Sequence, residues 1–142
     1  MANAAASTRD VWPPALQDYS MEIHLERGAA AETLAADYLQ AQGLTLYARN
    51  VRCKAGEIDL VCYDRGVLVM VEVRVRSRSD FGGALASVSS RKQRKFIRAA
   101  QYATQREPSW RELPIRFDVV AIQGIPDGIH SLEWVKDAFR AA

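Results

Sequence analysis

A predicted hairpin constrains this chain more than any other feature. Apolar runs flank the turn Asp64-Arg65-Gly66, and the second run reads Val-Leu-Val-Met-Val from Val67 onward, which is typical of a strand buried on both faces. If Arg65-Gly66 is a two-residue loop, Asp64 pairs with Val67, and continued pairing brings Asp59 opposite Glu72. Directly paired residues share a face, with Cβ atoms about 5 Å apart. Arg74, two residues beyond Glu72, shares that face as well.

The periodicity of the remaining sequence predicts the element order αβββαββ. Apolar residues recur at helical spacing in residues 20–42, which end before the capping glycine Gly43, and again from Ser89 or Ser90 to Arg106. Strands are predicted at 44–52, 57–63, 67–76, 115–122 and 129–135, and a short amphipathic tail follows. Short turns make the first three strands antiparallel neighbours, whereas the helix before the fourth strand suits a parallel crossover. The prediction is an α/β fold with a mixed five-stranded sheet flanked by helices.

The length of 142 residues suits one domain, which we place at 20–142 behind a disordered, Ala-rich tail at 1–19. The start of the chain lacks the basic segment and apolar core of a secretory signal, and nothing approaches the roughly 20 apolar residues of a membrane helix. A cytoplasmic protein without a membrane partner is therefore expected. The pair Cys53 and Cys62 and two isolated histidines do not predict a zinc site, and Cys62 is expected to be a small buried hydrophobe.

Positive charge is concentrated in one segment. Eight basic residues and one acidic residue lie between Arg74 and Arg98, so this segment carries +7 and the remainder −5, for a net charge of +2. Such asymmetry favours a polyanion partner, although a solvated helix face is the alternative. The side chains expected to hold a nucleic-acid backbone are Arg76, Arg78, Arg91, Lys92, Lys95 and Arg98.

The acidic pair itself needs a positive partner. Two adjacent carboxylates repel each other and lose hydration in an apolar sheet, so a divalent metal or a basic side chain must lie between them. Mg²⁺ is commonly held by one or two carboxylates together with phosphate oxygens and waters. An ion pair of Arg74 with Asp59 or Glu72 is the structural alternative, but the apolar surroundings of Glu72 favour the functional interpretation.

Several motifs, in one order, resemble a known family. They are Gly56-Glu57-Ile58-Asp59-Leu60-Val61, Val71-Glu72-Val73-Arg74, Arg91-Lys92-Gln93 and Arg116-Phe117-Asp118-Val119-Val120-Ala121-Ile122. From about Arg27 to Phe139 the chain resembles the bacterial YraN-type family, which is similar to the PD-(D/E)xK nucleases and particularly to archaeal Holliday-junction resolvases. The resemblance implies a restriction-endonuclease-like core and Mg²⁺ or Mn²⁺ held by Asp59 and Glu72. It also implies Glu32 as a helix-borne acid at the metal and Gln93 as an accessory polar residue.

One position departs from the family pattern. The lysine of its Glu-Val-Lys motif is Arg74 here, and Val75 follows. Arginine binds phosphate with a planar fork but cannot lose a proton, so it suits substrate binding at least as well as catalysis. Two functions are therefore expected as alternatives: a metal-dependent endonuclease on structured or branched DNA, or a non-catalytic nucleic-acid-binding module. An acidic protein partner is a third hypothesis, and resolvase-like relatives suggest a homodimer by analogy.

Some residues also have structural interpretations. Glu32 fits a solvated helix position, and Gln93, three residues after Ser90, fits a capping box. Asp118 lies in an apolar strand and could be structural or could support the site. Aromatic residues are expected in core or loop packing rather than base stacking; they are Phe81, Phe96, Tyr102 and Phe117.

Overall fold

The computed structural model describes residues 24–76, 88–123 and 131–141. The predicted order αβββαββ is confirmed for them. The helices are α1 (His24–Ala41) and α2 (Ser90–Arg106), and a single 3₁₀ turn at Pro108–Trp110 follows α2. The strands are β1 (Thr45–Cys53), β2 (Gly56–Asp64), β3 (Val67–Arg76), β4 (Ile115–Gln123) and β5 (Ser131–Phe139). The predicted tail at 1–19, together with Arg78 and Phe81, lies outside the described residues.

The five strands form one mixed sheet in the order β1-β2-β3-β4-β5. Strand β3 pairs in parallel with β4 across the connection that contains α2, and the other neighbours are antiparallel. The predicted two-residue hairpin is confirmed because Asp64 pairs with Val67. Arg65 and Gly66 both have positive φ, 48° and 91°, as the twist of a tight hairpin requires.

Of the described helices, one packs on each face of the sheet. The predicted stripe of α1, including Ala31, Ala35 and Leu39, packs on one face against side chains such as Val71. The stripe of α2, including Phe96, packs on the other face against Leu68, Met70 and Val119. Alternation along β3 therefore sends successive side chains to opposite helices, which confirms a strand buried on both faces.

The last strand was predicted too short. Strand β5 continues to Phe139, through the segment expected to be an amphipathic tail. Two features explain why the end of this strand was not predicted. Lys136 and Asp137 place consecutive charges in the strand, and Asp137 has a positive φ of 53°. The β4–β5 register slips nearby and resumes where Phe117 pairs with Phe139.

The residues that follow the end of α1 and cap the start of α2 are well defined. Gly43, with φ 104°, follows α1 as predicted. The capping residue of α2 is Ser89 rather than Ser90, since the Ser89 hydroxyl accepts a hydrogen bond of 3.1 Å from the Lys92 backbone N–H. Within the described ranges, neither helix has the length and apolar character needed to cross a membrane.

Candidate functional site

Glu72 is a buried charge in the apolar part of β3. Only 6% of its surface is exposed. It lies on the α2 face, two residues beyond Met70, and two cations reach it there. Lys92 Nζ lies 3.6 Å and Arg74 Nη1 3.8 Å from Glu72 Oε2. The Glu72–Arg74 ion pair predicted as the structural alternative therefore exists, and α2 adds a lysine to it.

Asp59 lies where β2 turns away from β3. The pairs between these strands run from Asp64 with Val67 to Leu60 with Val71 and stop one position short of Asp59 and Glu72. At that position the Asp59 Oδ2 accepts a 2.8 Å hydrogen bond from the Val73 backbone N–H. The predicted direct pair is therefore not part of the ladder, and the Asp59 carboxylate instead binds the β3 backbone one residue beyond Glu72.

Three carboxylates converge at this point, and we call Glu32, Asp59 and Glu72 the acidic cluster. The Asp59 carboxyl group is close enough to both glutamates for their charges to interact. Burial, followed by the negative charge of Glu72, raises the pKa of Asp59 to about 8, although the Val73 N–H opposes the shift. Burial also raises the pKa of Glu72 against the opposing effects of Lys92 and Arg74. The cluster therefore retains protons that ordinary surface carboxylates would release.

Glu32 reaches the cluster from α1, and Asn50 helps to position it. Burial raises the pKa of Glu32, while a hydrogen bond with the Asn50 side chain opposes this shift. Asn50 has a left-handed φ of 52° within β1, a conformation that asparagine tolerates better than most residues. Its neighbours pair as Arg49 with Leu60 and Val51 with Ile58, so Asn50 lies abreast of Asp59. Asn50 was not predicted from the sequence as a site residue. It could have been noticed because asparagine is disfavoured inside a strand.

The donor chemistry of the acidic cluster suits a hard divalent cation, because every donor is a carboxylate oxygen. The geometry of a metal site, however, is only partly formed. Within residues 24–76, 88–123 and 131–141, no group of three or more His, Cys, Asp and Glu side chains is arranged to hold a metal ion. Asp59 and Glu72 could provide two ligands, with water and substrate oxygens supplying the rest. The metal site predicted from the sequence stays a prediction.

A cleft of about 340 Å³ opens over Asp59. Its walls come from the first residues of β2 and the first turns of α2, and its lining residues include Glu57, Asp59, Arg91, Lys92 and Lys95. Arg91 and Lys95 are exposed there, as is Arg98 one turn further along the helix. Their contacts with a nucleic-acid backbone stay a prediction.

The other predicted basic residues differ from this arrangement. Lys92 faces Glu72 instead of only the solvent. The Arg76 side chain is just 10% exposed, and its Nη2 lies 3.8 Å from Glu133 Oε1, so it is not the open phosphate contact that was expected. The Nε atoms of Arg74 and Arg76 are buried, and among the described residues neither has an acceptor.

Gln93 has a structural contact. Its Nε2 donates to the Val88 carbonyl oxygen over 3.1 Å, which ties α2 to the preceding segment. The capping box predicted from Ser90 and Gln93 is wrong because the cap is one residue earlier, at Ser89. A contact between Gln93 and the acidic cluster stays a prediction.

Asp118, left open by the sequence, belongs to a different network. It is completely buried and accepts four hydrogen bonds of 2.9–3.0 Å from Arg116 Nε and Nη2, Trp134 Nε1 and the Asp137 backbone N–H. Arg116 also pairs with Asp64 over 3.2 Å. Because Trp134 packs in the α1 layer, Asp118 lies on the opposite face of the sheet from Glu72. Its contacts are those of a structural residue.

The aromatic prediction was right for Phe96 and Phe117, which are core residues, and wrong for Tyr102. Tyr102 is 38% exposed on α2. Helical periodicity alone did not reveal this, because the residue lies only one position from the buried Ala103.

Comparison with known proteins places the chain in a family. Residues 31–122, which include the acidic cluster and α2, match the family described as "Uncharacterised protein family UPF0102". A UPF0102 protein of Pseudomonas putida strain GB-1 is 54% identical over 113 residues, covering 80% of this chain and 92% of the relative. One from Pseudomonas fluorescens is 50% identical over 116 residues, covering 82% and 94%. One from Pseudomonas syringae pv. syringae is 47% identical over 114 residues, covering 80% and 93%. The chain belongs to the UPF0102 family.

Proposed function

We propose that this protein is a divalent-metal-dependent endonuclease of the PD-(D/E)xK kind, acting on structured or branched DNA. The observation that carries the proposal is the acidic cluster, in which the Asp59 carboxyl group lies in a cleft with Arg91, Lys92 and Lys95 and its charge interacts with those of Glu32 and Glu72. The mixed sheet flanked by helices supports a restriction-endonuclease-like core.

The energetics of the cluster favour a function over a purely structural role. Burying carboxylates next to one another is costly, and apolar residues of similar volume would stabilise a fold better. Perturbed pKa values in a cleft are a general sign of a functional site. The high pKa of Asp59, about 8, means that its ionised form lacks adequate positive compensation. A bound divalent cation would provide that compensation.

Asp59 and Glu72 would hold Mg²⁺ or Mn²⁺, and Glu32 would act through a water. When bound, the cation would polarise the phosphodiester and lower the pKa of a water molecule. Arg74 has a separate task in the proposal. Its side chain is 33% exposed beside Glu72, so its guanidinium can be reached by a phosphate oxygen.

Lys92 compensates for the arginine in the Glu-Val-Arg motif. Its ammonium group lies 3.6 Å from Glu72, so a lysine is present at the acidic cluster although it comes from α2 rather than β3. We assign it to stabilising negative charge on the phosphate. Arg91, Lys95 and Arg98 would hold the flanking backbone without reading its sequence.

The test is a cleavage assay with Mg²⁺ or Mn²⁺ on linear, flapped and four-way DNA. Glu72→Gln and Asp59→Asn should abolish cleavage while the protein remains folded. Glu112→Gln is the matched control because Glu112 is an exposed acid beyond the 3₁₀ turn. Failure of the wild-type protein to cleave any of these substrates with either metal would refute the enzymatic proposal.

A non-catalytic DNA-binding module is the second candidate. It is favoured by Arg74, and by the absence of a ready group of three metal ligands among the described residues. The variant Arg74→Lys separates the two candidates. Cleavage that appears only in this variant supports the binding module, whereas wild-type cleavage lost in Glu72→Gln supports the enzyme.

A further inference from the structure

A cluster of aromatic side chains lies at the far end of α2 from the acidic cluster. The Tyr47 ring stacks on Tyr63 at 5.5 Å and 16°, and on Trp110 at 6.4 Å and 6°. Tyr102 lies across a second cleft of about 300 Å³ that Trp110 also lines. We call Tyr47, Tyr63, Tyr102 and Trp110 the aromatic platform.

The platform is open to solvent. Tyr47 is 45% and Tyr102 38% exposed, and these are two of the three exposed large hydrophobic residues in the described part of the chain. Core packing therefore does not explain these two rings. Tyr47 also sits in a β-bulge of the edge strand β1, between the paired residues Leu46 and Ala48. Bulges re-aim side chains, and this one presents the Tyr47 ring beside Trp110.

The platform carries positive charge suited to an anionic ligand with flat rings. The Arg106 guanidinium carbon lies 5.6 Å from the centre of the Tyr102 ring. Arg52 and Arg106 both line the cleft, and Arg52 is largely exposed despite its 3.5 Å ion pair with Glu57. Glu107 is an acidic residue in the same lining, where its carboxylate accepts a hydrogen bond from the Ser109 hydroxyl. Stacking rings combined with arginines are the usual means of binding unpaired nucleobases.

One stripe of α2 connects the platform to the acidic cluster. Its members are spaced three or four residues apart and all are exposed; they are Arg91, Lys95, Arg98, Tyr102 and Arg106. Lys95 lines the cleft over Asp59, and Arg106 lines the cleft at the platform. At 1.5 Å of rise per residue, these two side chains are separated by about 16 Å along the helix. A nucleic-acid strand following this stripe from the acidic cluster would reach the platform within a few nucleotides.

We propose that the aromatic platform binds the unpaired bases of a single-stranded DNA segment that continues from the duplex at the acidic cluster. This inference rests on the proposed function and sharpens its substrate class, because it selects DNA with a single-stranded flap or fork over fully paired DNA. The phosphates of the segment would lie along Arg98 and Arg106, and its bases on Tyr47 and Tyr102.

The test compares the affinities of a blunt duplex and of the same duplex with an oligo-dT tail, measured by fluorescence anisotropy with the full chain in EDTA. Wild-type protein should bind the tailed DNA more tightly. Tyr47→Leu and Tyr102→Leu should each weaken tailed-DNA binding by roughly 5- to 100-fold, as expected for the loss of stacking on one base. Blunt-duplex affinity should not change. Tyr47→Phe and Tyr102→Phe are matched controls that keep the rings and should keep the tail advantage.

Other outcomes separate this inference from the proposed function. Two outcomes would overturn the role of the aromatic platform alone. In one, branched DNA is cleaved but the tailed duplex binds no more tightly than the blunt duplex. In the other, the leucine variants bind the tailed duplex as tightly as wild type. Failure of every DNA to bind would overturn both proposals. A change of oligomeric mass in Tyr47→Leu would identify a second copy of the chain as the occupant, and tighter binding of an oligo-rU tail would exclude the assignment to DNA.

Discussion

Replacing Asp59 by asparagine should stabilise the metal-free protein at alkaline pH. The asparagine side chain would keep an oxygen for the Val73 N–H, which Asp59 binds at 2.8 Å, but it would carry no charge. The Asp59 carboxyl group has an ordinary pKa of 3.8, which the fold raises to about 8. A raised pKa means that folding favours the protonated form, so its stability contribution is complete below pH 3.8 and is lost as the pH rises through 8.

The magnitude follows from the width of that window. One extra proton bound by the folded state makes the free energy of unfolding fall by up to about 1.4 kcal/mol per pH unit. The whole window could remove about 6 kcal/mol. Because Asp59 is only partly buried and its charge interacts with that of Glu72, we expect about half of this loss, on the order of 3 kcal/mol. Asp59→Asn and wild type should therefore be similar near pH 4.5 and differ by about that amount near pH 8.5.

Urea unfolding in EDTA across this pH range measures the difference. Asp137→Asn is a matched control because Asp137 is exposed and its hydrogen bond with Arg140 lowers its pKa, so its stabilising effect is lost as the pH falls. Adding Mg²⁺ should remove most of the difference near pH 8.5, since a cation at 100 times its dissociation constant stabilises wild type by about 2.7 kcal/mol. If the free energies of unfolding of wild type and Asp59→Asn in EDTA change with pH in parallel, the electrostatic account of the acidic cluster is refuted.

Three further predictions concern other parts of the molecule. Asp118→Asn should destabilise the protein by roughly 3–5 kcal/mol in urea unfolding, because the change leaves the half-buried Arg116 without its closest carboxylate partner; a loss below about 1 kcal/mol would contradict the structural role. Lys92→Met should lower the cleavage rate by about 100-fold, because it removes a charge beside Glu72. Arg94→Met, at an exposed position of the same helix, is the control, and equal cleavage rates for the two variants would contradict the role of Lys92. Arg98→Ala should reduce the slope of log affinity against log salt by about 0.9, one phosphate contact, and an unchanged slope would remove Arg98 from the interface.

The local features of the fold were predictable from sequence because they depend on neighbouring residues. The Asp64 and Val67 pair follows from a two-residue turn, and the antiparallel register then holds as far as Leu60 and Val71, one position short of Asp59 and Glu72. The crossover also follows from local order, because a helix between two strands permits parallel pairing.

The contacts made by α2 were not predictable in the same way. Periodicity gives the buried face of a helix, but not which exposed side chain bends toward a charge on another element. Lys92 was therefore expected to meet only a polyanion, and its ion pair with Glu72 depends on how α2 lies across β3. Tyr102 was assigned to packing for the same reason, since its surroundings include Arg52 on the distant strand β1.

Asp59 and Asp118 show most clearly what decides the role of a buried carboxylate. Both are aspartates within apolar strands, and their sequence surroundings hardly differ. Asp118 is met by four N–H donors, two of them from Arg116, so its negative charge is satisfied within the fold. Asp59 is met by one backbone N–H and two other carboxyl groups, so its charge is opposed rather than satisfied. The first arrangement stabilises the protein without a ligand, whereas the second would be ionised at neutral pH only if a cation joined it, as the proposed function requires.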